Sequence, residues 1–321
     1  MIQFTIRRFF YSILIIFGVM SVIFFVMNLL PDPARMMQGQ RADLSTQAAI
    51  RHELGLDLPV WQRYVSFLTK TASGDLGRSF SSNRPVWDSI KERLPATAIL
   101  TISAMVIATI LGIGIGIISA VKSNSLLDNT SRVFALVGIS VPSFVFGLLM
   151  IIAFGSLLQI FPISGYIIQD DSKWYAFWAY HWEYLALPMI TLALRPISII
   201  ARVTRSSMMD VLTSDYIRTA KAKGLTTRKV ILHHALRNAL NPVVTTVGSW
   251  LASLLTGAFF IEYIFNWPGI GALGFDAIPR SDFPTIQGTV LFAAVVFVVI
   301  NYVVDIVYAL LDPKVKLSGS K

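Results

Sequence analysis

The chain has 321 residues, of which 55% are hydrophobic and 14% charged. A soluble domain carries roughly a quarter charged residues, so an ordinary soluble protein is excluded, and continuous rather than alternating apolar runs indicate membrane helices instead of a barrel. The absence of cysteine excludes disulfides, thiolate metal sites and cysteine nucleophiles, and the net charge of +9 reads as topogenic charge at the cytoplasmic face, not as a nucleic-acid footprint.

The chain opens MIQFTIRRFF, and the apolar run Phe9–Leu30 that follows ends in Leu-Pro-Asp-Pro without a small-x-small cleavage site. It reads as a retained first span. Residues 31–95 carry nine basic and seven acidic residues; this long loop is expected to form a small external subdomain. A second span lies in Ala96–Val121, where Gly112 and Gly116 form a GxxxG pair suited to close helix packing. A third lies in Val133–Gln169, with Pro142 expected to kink it.

The fourth span, about Tyr184–Thr204, is the least apolar, because Arg195-Pro196 sits at its middle. The fifth covers about Ala239–Ile261 and the sixth about Pro284–Leu311. Together these give an all-α polytopic membrane protein with six transmembrane helices. Eight Lys and Arg residues fall between Arg202 and Arg237, with more at Arg7, Arg8, Lys122, Arg132 and in the tail. The short opposite loops hold only Lys173 and Arg280. Both termini are therefore expected to be cytoplasmic.

The most informative segment is SDYIRTAKAKGLTTRKVILHHALRNALNP, residues 214–242. Thr213 or Ser214 caps a helix whose first turn holds Asp215 and whose C-terminus is Gly224; Thr226 or Thr227 caps a second helix running to Asn241-Pro242. Tyr216, Ala220 and Gly224 are spaced i, i+4, i+8 and are expected to share a face where small residues admit another protein. Arg218, Lys221 and Lys223 supply charge around it. Anionic headgroups of membrane lipid are the competing partner for such a helix.

Three other features invite chemistry. Gly269–Gly274 matches GxGxxG, but Asn266-Trp267-Pro268 precedes it where a nucleotide fold needs a strand, so a tight turn is expected. Adjacent His233 and His234 point about 100° apart on a helix and do not converge on one ion. Arg195 is either a pathway residue meeting a substrate carboxylate, or it pairs with Asp305 or Glu262, or it snorkels. Glu262 and Asp305 sit near span ends and are expected to be interfacial.

The stretch DYIRTAKAKGL…HALRNALNPV resembles the cytoplasmic coupling loop of permease subunits of binding-protein-dependent ABC importers, in the dipeptide/oligopeptide/nickel branch. LGLDLPVWQRY (54–64), GDLGRSF (74–80), PVWDSIKERLPAT (85–97), ARVTRSSMMDVL (201–212), FNWPGIGALGFDAI (265–278) and VVDIVYALLDPKVK (303–316) resemble the same branch. Where the short consensus has an EAA triplet, this chain has Arg218-Thr219-Ala220 before Gly224, so only Ala220 and Gly224 match literally.

The resemblance implies a bacterial inner-membrane permease subunit whose loop docks on a cytoplasmic ATPase through Tyr216, Arg218, Ala220, Lys223 and Gly224. Its partners would be a second related permease, one or two ATPases holding ATP and magnesium, and an external solute-binding protein. The chain would then divide into an N-terminus and first helix (1–30), an external loop subdomain (31–95), a five-helix permease core (96–311) containing the coupling loop 206–238, and a cytoplasmic tail (312–321). No Gly-Lys dipeptide occurs, so no P-loop is present; the expectation is no catalytic residue, no bound metal and no cofactor in this chain. A self-sufficient secondary transporter or channel is the alternative.

Overall fold

The computed structural model describes residues 2–29, 57–164 and 182–311. Most of the first-loop expectation before residue 57, the tail, and Lys173 and His181 lie outside the described residues. Among the described residues the secondary structure is helical, with no β-strand and a single isolated bridge between Arg78 and Pro85.

Helix α1 (Ile2–Leu29) is apolar around its circumference, and only 17% of its span window is buried, so most of its surface faces outward. Helix α2 (Val60–Ala72) is amphipathic and lies against it. Ser21 and Tyr64 hydroxyls meet at 2.6 Å, and the Tyr64 ring packs on Phe24 and Phe25 with centroids 5.2 and 5.6 Å away.

Helix α3 (Val86–Val121) begins ahead of the span expected from Ala96 and passes through Pro95 without a break. Its 36 residues reach about 54 Å, against a hydrocarbon core of ~30 Å. The charged first turns therefore stand outside the apolar layer, and the expected loop boundary at residue 95 falls inside a helix.

The third expected span is two helices. Helix α4 (Leu126–Ser140) and α5 (Ser143–Met150, continued by a π-helical turn Ile151–Leu157) meet at 105°. Pro142 caps α5, lacks the N–H that would continue α4, and so accounts for the bend.

Helix α6 (Trp182–Leu212) is the centre of the fold. Its span window is 67% buried, against 39% for α3 and 17% for α1. That explains why it is the least hydrophobic span: its neighbours are protein rather than lipid. It runs through Pro188 and Pro196 intact. Its most extensive partner is α3. A Cβ at Gly112 would come within 2.8 Å of Ile200 Cβ, and one at Gly116 within 2.5 Å of Thr204 Cβ. The GxxxG pair is what lets the two helices touch. Leu100, Ala104, Ala108, Ala193, Ile197 and Ile200 fill the contact.

Helix α7 (Asp215–Ala222) is followed by a short turn Thr227–Lys229 and a π-helical segment Val230–Ala235, which lead into α8 (Leu236–Gly257). The second loop helix does not stop at Asn241-Pro242, because Pro242 lies within the continuous α8. Two short helices, α9 (Phe259–Ile264) and α10 (Ile270–Ala277), precede α11 (Phe283–Leu311), which packs on α1 and α8.

Among the described residues four helices are long and apolar enough to cross a membrane: α1, α3, α6 and α11. The bent pair α4–α5 makes a fifth if it is one span. The helix at the fifth expected position, α8, is not apolar enough to count with them, since Asn241, Thr245, Thr246, Ser249 and Ser253 interrupt its apolar residues.

Candidate functional site

The basic segment between α6 and α8 folds back on the chain. Ser214 precedes α7 but turns its hydroxyl to Val211 O (2.6 Å) instead of capping the helix. Ile217 and Ala220, three residues apart, face inward, 0% and 7% exposed. Beneath them lie Ala120 of α3, Met208 of α6, Val230 and Ala235 of the π segment, and Ala239 of α8. This cluster joins the loop to three long helices.

The expected shared face of Tyr216, Ala220 and Gly224 is corrected by this packing. Ala220 is small because α7 sits closely on its own chain, not because it opens an exposed notch. Tyr216 is exposed and accepts a hydrogen bond from Asn238 Nδ2 at 2.8 Å. Arg218 projects outward, its side chain 76% exposed, with Asp215 at 3.3 Å. Lys223 caps the helix, and Gly224 follows with φ +78°. Nothing lies within 4 Å of where a Gly224 Cβ would be, so glycine is required by the backbone turn alone.

Beside this cluster is an ion pair whose acid is buried. Asp128, at the start of α4, is fully buried and accepts from Arg205 Nε (2.7 Å) and Nη2 (2.8 Å). Ser119 Oγ of α3 donates to Oδ1 at 2.5 Å, and the Asn124 amide to Oδ2 at 2.9 Å. One carboxylate thus locks α3, α4 and α6 together beside the loop. On sequence Arg205 reads only as topogenic charge. The available signal was Asp128 itself, a lone acid opening an apolar helix three residues after the capping Ser125, whose hydroxyl accepts from the Asp128 amide.

Two further carboxylates hold the other end. Glu262, expected near a span end, is fully buried within the chain. Thr97 Oγ1 donates to its Oε1 at 2.7 Å, and the amides of Gly271 and Ala272 donate to Oε2 at 2.7 and 3.2 Å. Burial pushes the Glu262 carboxyl up; these donors and the charge of Arg93 oppose that shift. The GxGxxG stretch therefore begins α10 and presents its amides to the chain's own carboxylate, where a nucleotide phosphate would sit in a true fingerprint. Trp267 Nε1 donates to Ala96 O at 2.9 Å beside it.

Asp282 accepts from Ser79 Oγ (2.5 Å), Phe80 N (2.9 Å), Ser81 Oγ (3.0 Å) and Thr285 Oγ1 (2.9 Å), tying the turn before α3 to the start of α11. Burial works against its ionisation, but these four donors outweigh it and leave the carboxyl below the usual carboxylate range.

Arg195 pairs with neither acid expected for it. Asp305 binds Arg8 at 3.0 Å, and Glu262 is satisfied as above. Its guanidinium lies 5.8 Å from the Trp250 ring centroid instead. Among the described residues no group of three His, Cys, Asp or Glu is gathered as for a metal ion.

A bent helical bundle around one interior helix, with a basic loop seated on the helix ends, has the architecture of a polytopic membrane protein. The sequence comparisons agree. Residues 112–317 match the model described as binding-protein-dependent transport system inner membrane component, and residues 1–101 match the corresponding N-terminal model. The chain belongs to this family, as an inner-membrane permease component of ABC importers.

It is 39% identical over 336 residues to the dipeptide transport system permease protein DppB of Escherichia coli K12, covering 98% of this chain and 99% of that one. It is 39% identical over 317 residues to the glutathione transport system permease protein GsiC of the same strain, with the same coverage. Against the di/tripeptide permease DppB of Pseudomonas aeruginosa the identity is 38% over 336 residues. The inward-facing MetNI methionine ABC transporter structure shares the fold, with a TM-score of 0.55 at 16% identity, covering 70% of this chain and 96% of that one.

Proposed function

We propose that the chain forms one half of the translocation pore of an ATP-driven importer for di- and oligopeptides or a close chemical relative such as glutathione. The solute class is supported by near-full-length relatives whose names specify dipeptide, di/tripeptide and glutathione transport. In this reading a second homologous permease completes the pore, one or two ATPase subunits hold ATP and magnesium, and an external binding protein delivers the solute. The termini and the basic loop are cytoplasmic, and residues 31–95 face outside.

The observation that carries the mechanism is the seating of α7 on Met208, Ala120 and Ala239. Tyr216, Arg218, Lys223 and Gly224 form the surface offered to an ATPase, with Ala220 as the packing residue beneath. When ATP closes the ATPases, a displacement of α7 moves Ile217 against helices α3, α6 and α8 together. The Asp128–Arg205 pair carries the same displacement into α4. Chemistry on ATP belongs entirely to the partner subunits.

The test is purification of the tagged chain in mild detergent, identification of co-purifying proteins, and dipeptide uptake after reconstitution. Recovery of Walker-motif ATPases and a second permease, with uptake that requires ATP, is the expected result. Recovery of this chain alone, still transporting in liposomes, would overturn the proposal in favour of a self-sufficient carrier or channel.

A further inference from the structure

We propose that Arg195 is a recognition residue within the translocation pathway, where its guanidinium receives a carboxylate of the passing solute. This rests on the importer reading above and specifies the chemistry that the pore recognises.

The first observation is position. Arg195 sits near the middle of α6, the most buried of the candidate spans. Residues 191–194 and 196–198 on either side of it are buried, and Arg195 alone among them is exposed. A charge at mid-depth in a membrane is costly unless it faces a water-filled cavity or a partner.

The second observation is what shares its face. Arg202 and Ser206 follow at i+7 and i+11, both exposed, with half-buried Ile199 between Arg195 and Arg202, so this side of α6 carries several polar groups. The adjacent helix α8 has exposed Asn241 and Ser249, with exposed Val244 between them. Elsewhere the outward faces are apolar, as at Phe10 and Leu14 of α1 and Leu136 of α4, which are 65%, 63% and 65% exposed. Lipid is matched by those surfaces. The α6–α8 face carries more polar groups than those surfaces, alongside exposed Ile190 and Val244.

The third observation is that the cation is oriented but not neutralised. The Trp250 ring lies 5.8 Å from the guanidinium carbon, which leaves the N–H fork of the group available. Among the described residues no carboxylate lies within ion-pair distance of it. A planar fork of donors is the geometry that binds a carboxylate through both oxygens. In an aqueous pathway such a contact stays weak enough for release.

The test uses the complete reconstituted importer with its binding protein in excess. Uptake of radiolabelled dialanine is measured for wild type, Arg195→Lys, Arg195→Gln and Arg195→Glu, together with the amount of assembled complex. Assembly is expected to be equal in all four. Maximal uptake should fall about tenfold in Arg195→Gln, the loss expected for one charged hydrogen-bonded contact. It should fall further in Arg195→Glu and be largely kept in Arg195→Lys.

Wild-type uptake in the Gln and Glu variants would overturn the assignment. So would a loss of assembled complex that parallels the loss of uptake in all three variants, which would make Arg195 a subunit contact. A wild-type complex that assembles but imports no dialanine would overturn the peptide reading, and this assignment with it.

Discussion

Arg205 grips Asp128 through both carboxylate oxygens, at 2.7 and 2.8 Å, in a site where the acid is fully buried. Removing one partner strands the other. Arg205→Ala is expected to cost about 3 kcal/mol, because the buried carboxylate then keeps only Ser119, the Asn124 amide and the more distant Arg132, at 3.8 Å. The Asp128→Ala, Arg205→Ala double variant should be less destabilised than the sum of the singles. Thermal unfolding of the purified complex in detergent checks both statements, and additive losses would show that the pair is not coupled.

Gly224 separates conformation from contact. Its φ of +78° disfavours any residue with a Cβ, while the surrounding space would accept one. Gly224→Asn should therefore keep more uptake than Gly224→Val, since asparagine tolerates the left-handed region and a β-branched residue does not. Uptake assays at matched membrane abundance read this ordering; equal loss in both would point to a direct contact instead.

Arg218 and Ala220 differ in the same helix. Arg218→Ala should leave stability within about 0.5 kcal/mol of wild type, because the side chain is solvated, yet weaken co-purification of the ATPase. Ala220→Trp overfills a closed cluster at a cost of about 1–3 kcal/mol. Limited proteolysis of the loop distinguishes them, with only the Trp variant expected to become more sensitive.

Asp282 gives an acid-side signature. Its carboxyl is held below the usual range by Ser79, Phe80, Thr285 and Ser81 against the effect of burial. A depressed folded value means that the stabilisation is present above the unfolded carboxylate value, ~3.9, and is lost as pH falls through the lower folded value. Asp282→Asn should be less stable than wild type at pH 7 and lose less stability on acidification. Unfolding temperatures measured downward from neutral pH check the difference in slope.

Glu262→Ala should be more damaging than Glu262→Gln. The alanine leaves the Gly271 and Ala272 amides buried without an acceptor, a cost of about 1–3 kcal/mol for each group. Glutamine keeps one acceptor oxygen for them. Comparable unfolding temperatures for the two variants would mean that the amides find other partners.

Legibility in the sequence followed the physics of each signal. Pro142 and the Gly112–Gly116 pair act through local backbone geometry and close contact, and both do in the structure what their residue types dictate. The span around Arg195-Pro196 is weak in sequence because hydropathy measures affinity for lipid, and 67% of the α6 span window packs against protein instead. Of the basic segment 214–242, the helix and its glycine stop were readable. The rotation of the helix was not, because Ile217 and Ala220 are turned inward by Met208 and Val230, which belong to other elements.

The buried roles of Asp128, Glu262 and Asp282 were hidden for a related reason. Each acts through partners distant in sequence, such as Thr97 for Glu262 and Ser79 for Asp282. A lone acid near a helix end is indistinguishable from a solvated one until the fold brings its donors together.

The floor beneath α7 is built from residues of α3, α6 and α8, so the loop is not a detachable module. Cut out as a synthetic peptide, residues 213–238 would lose the side chains that Ile217 and Ala220 rest on and, at this length, the means to stay helical. Engineering an importer to accept a foreign ATPase by transplanting this loop alone would thus import the proposed ATPase-facing surface without its foundation. The smallest exchangeable unit is the loop together with the helix ends that carry it.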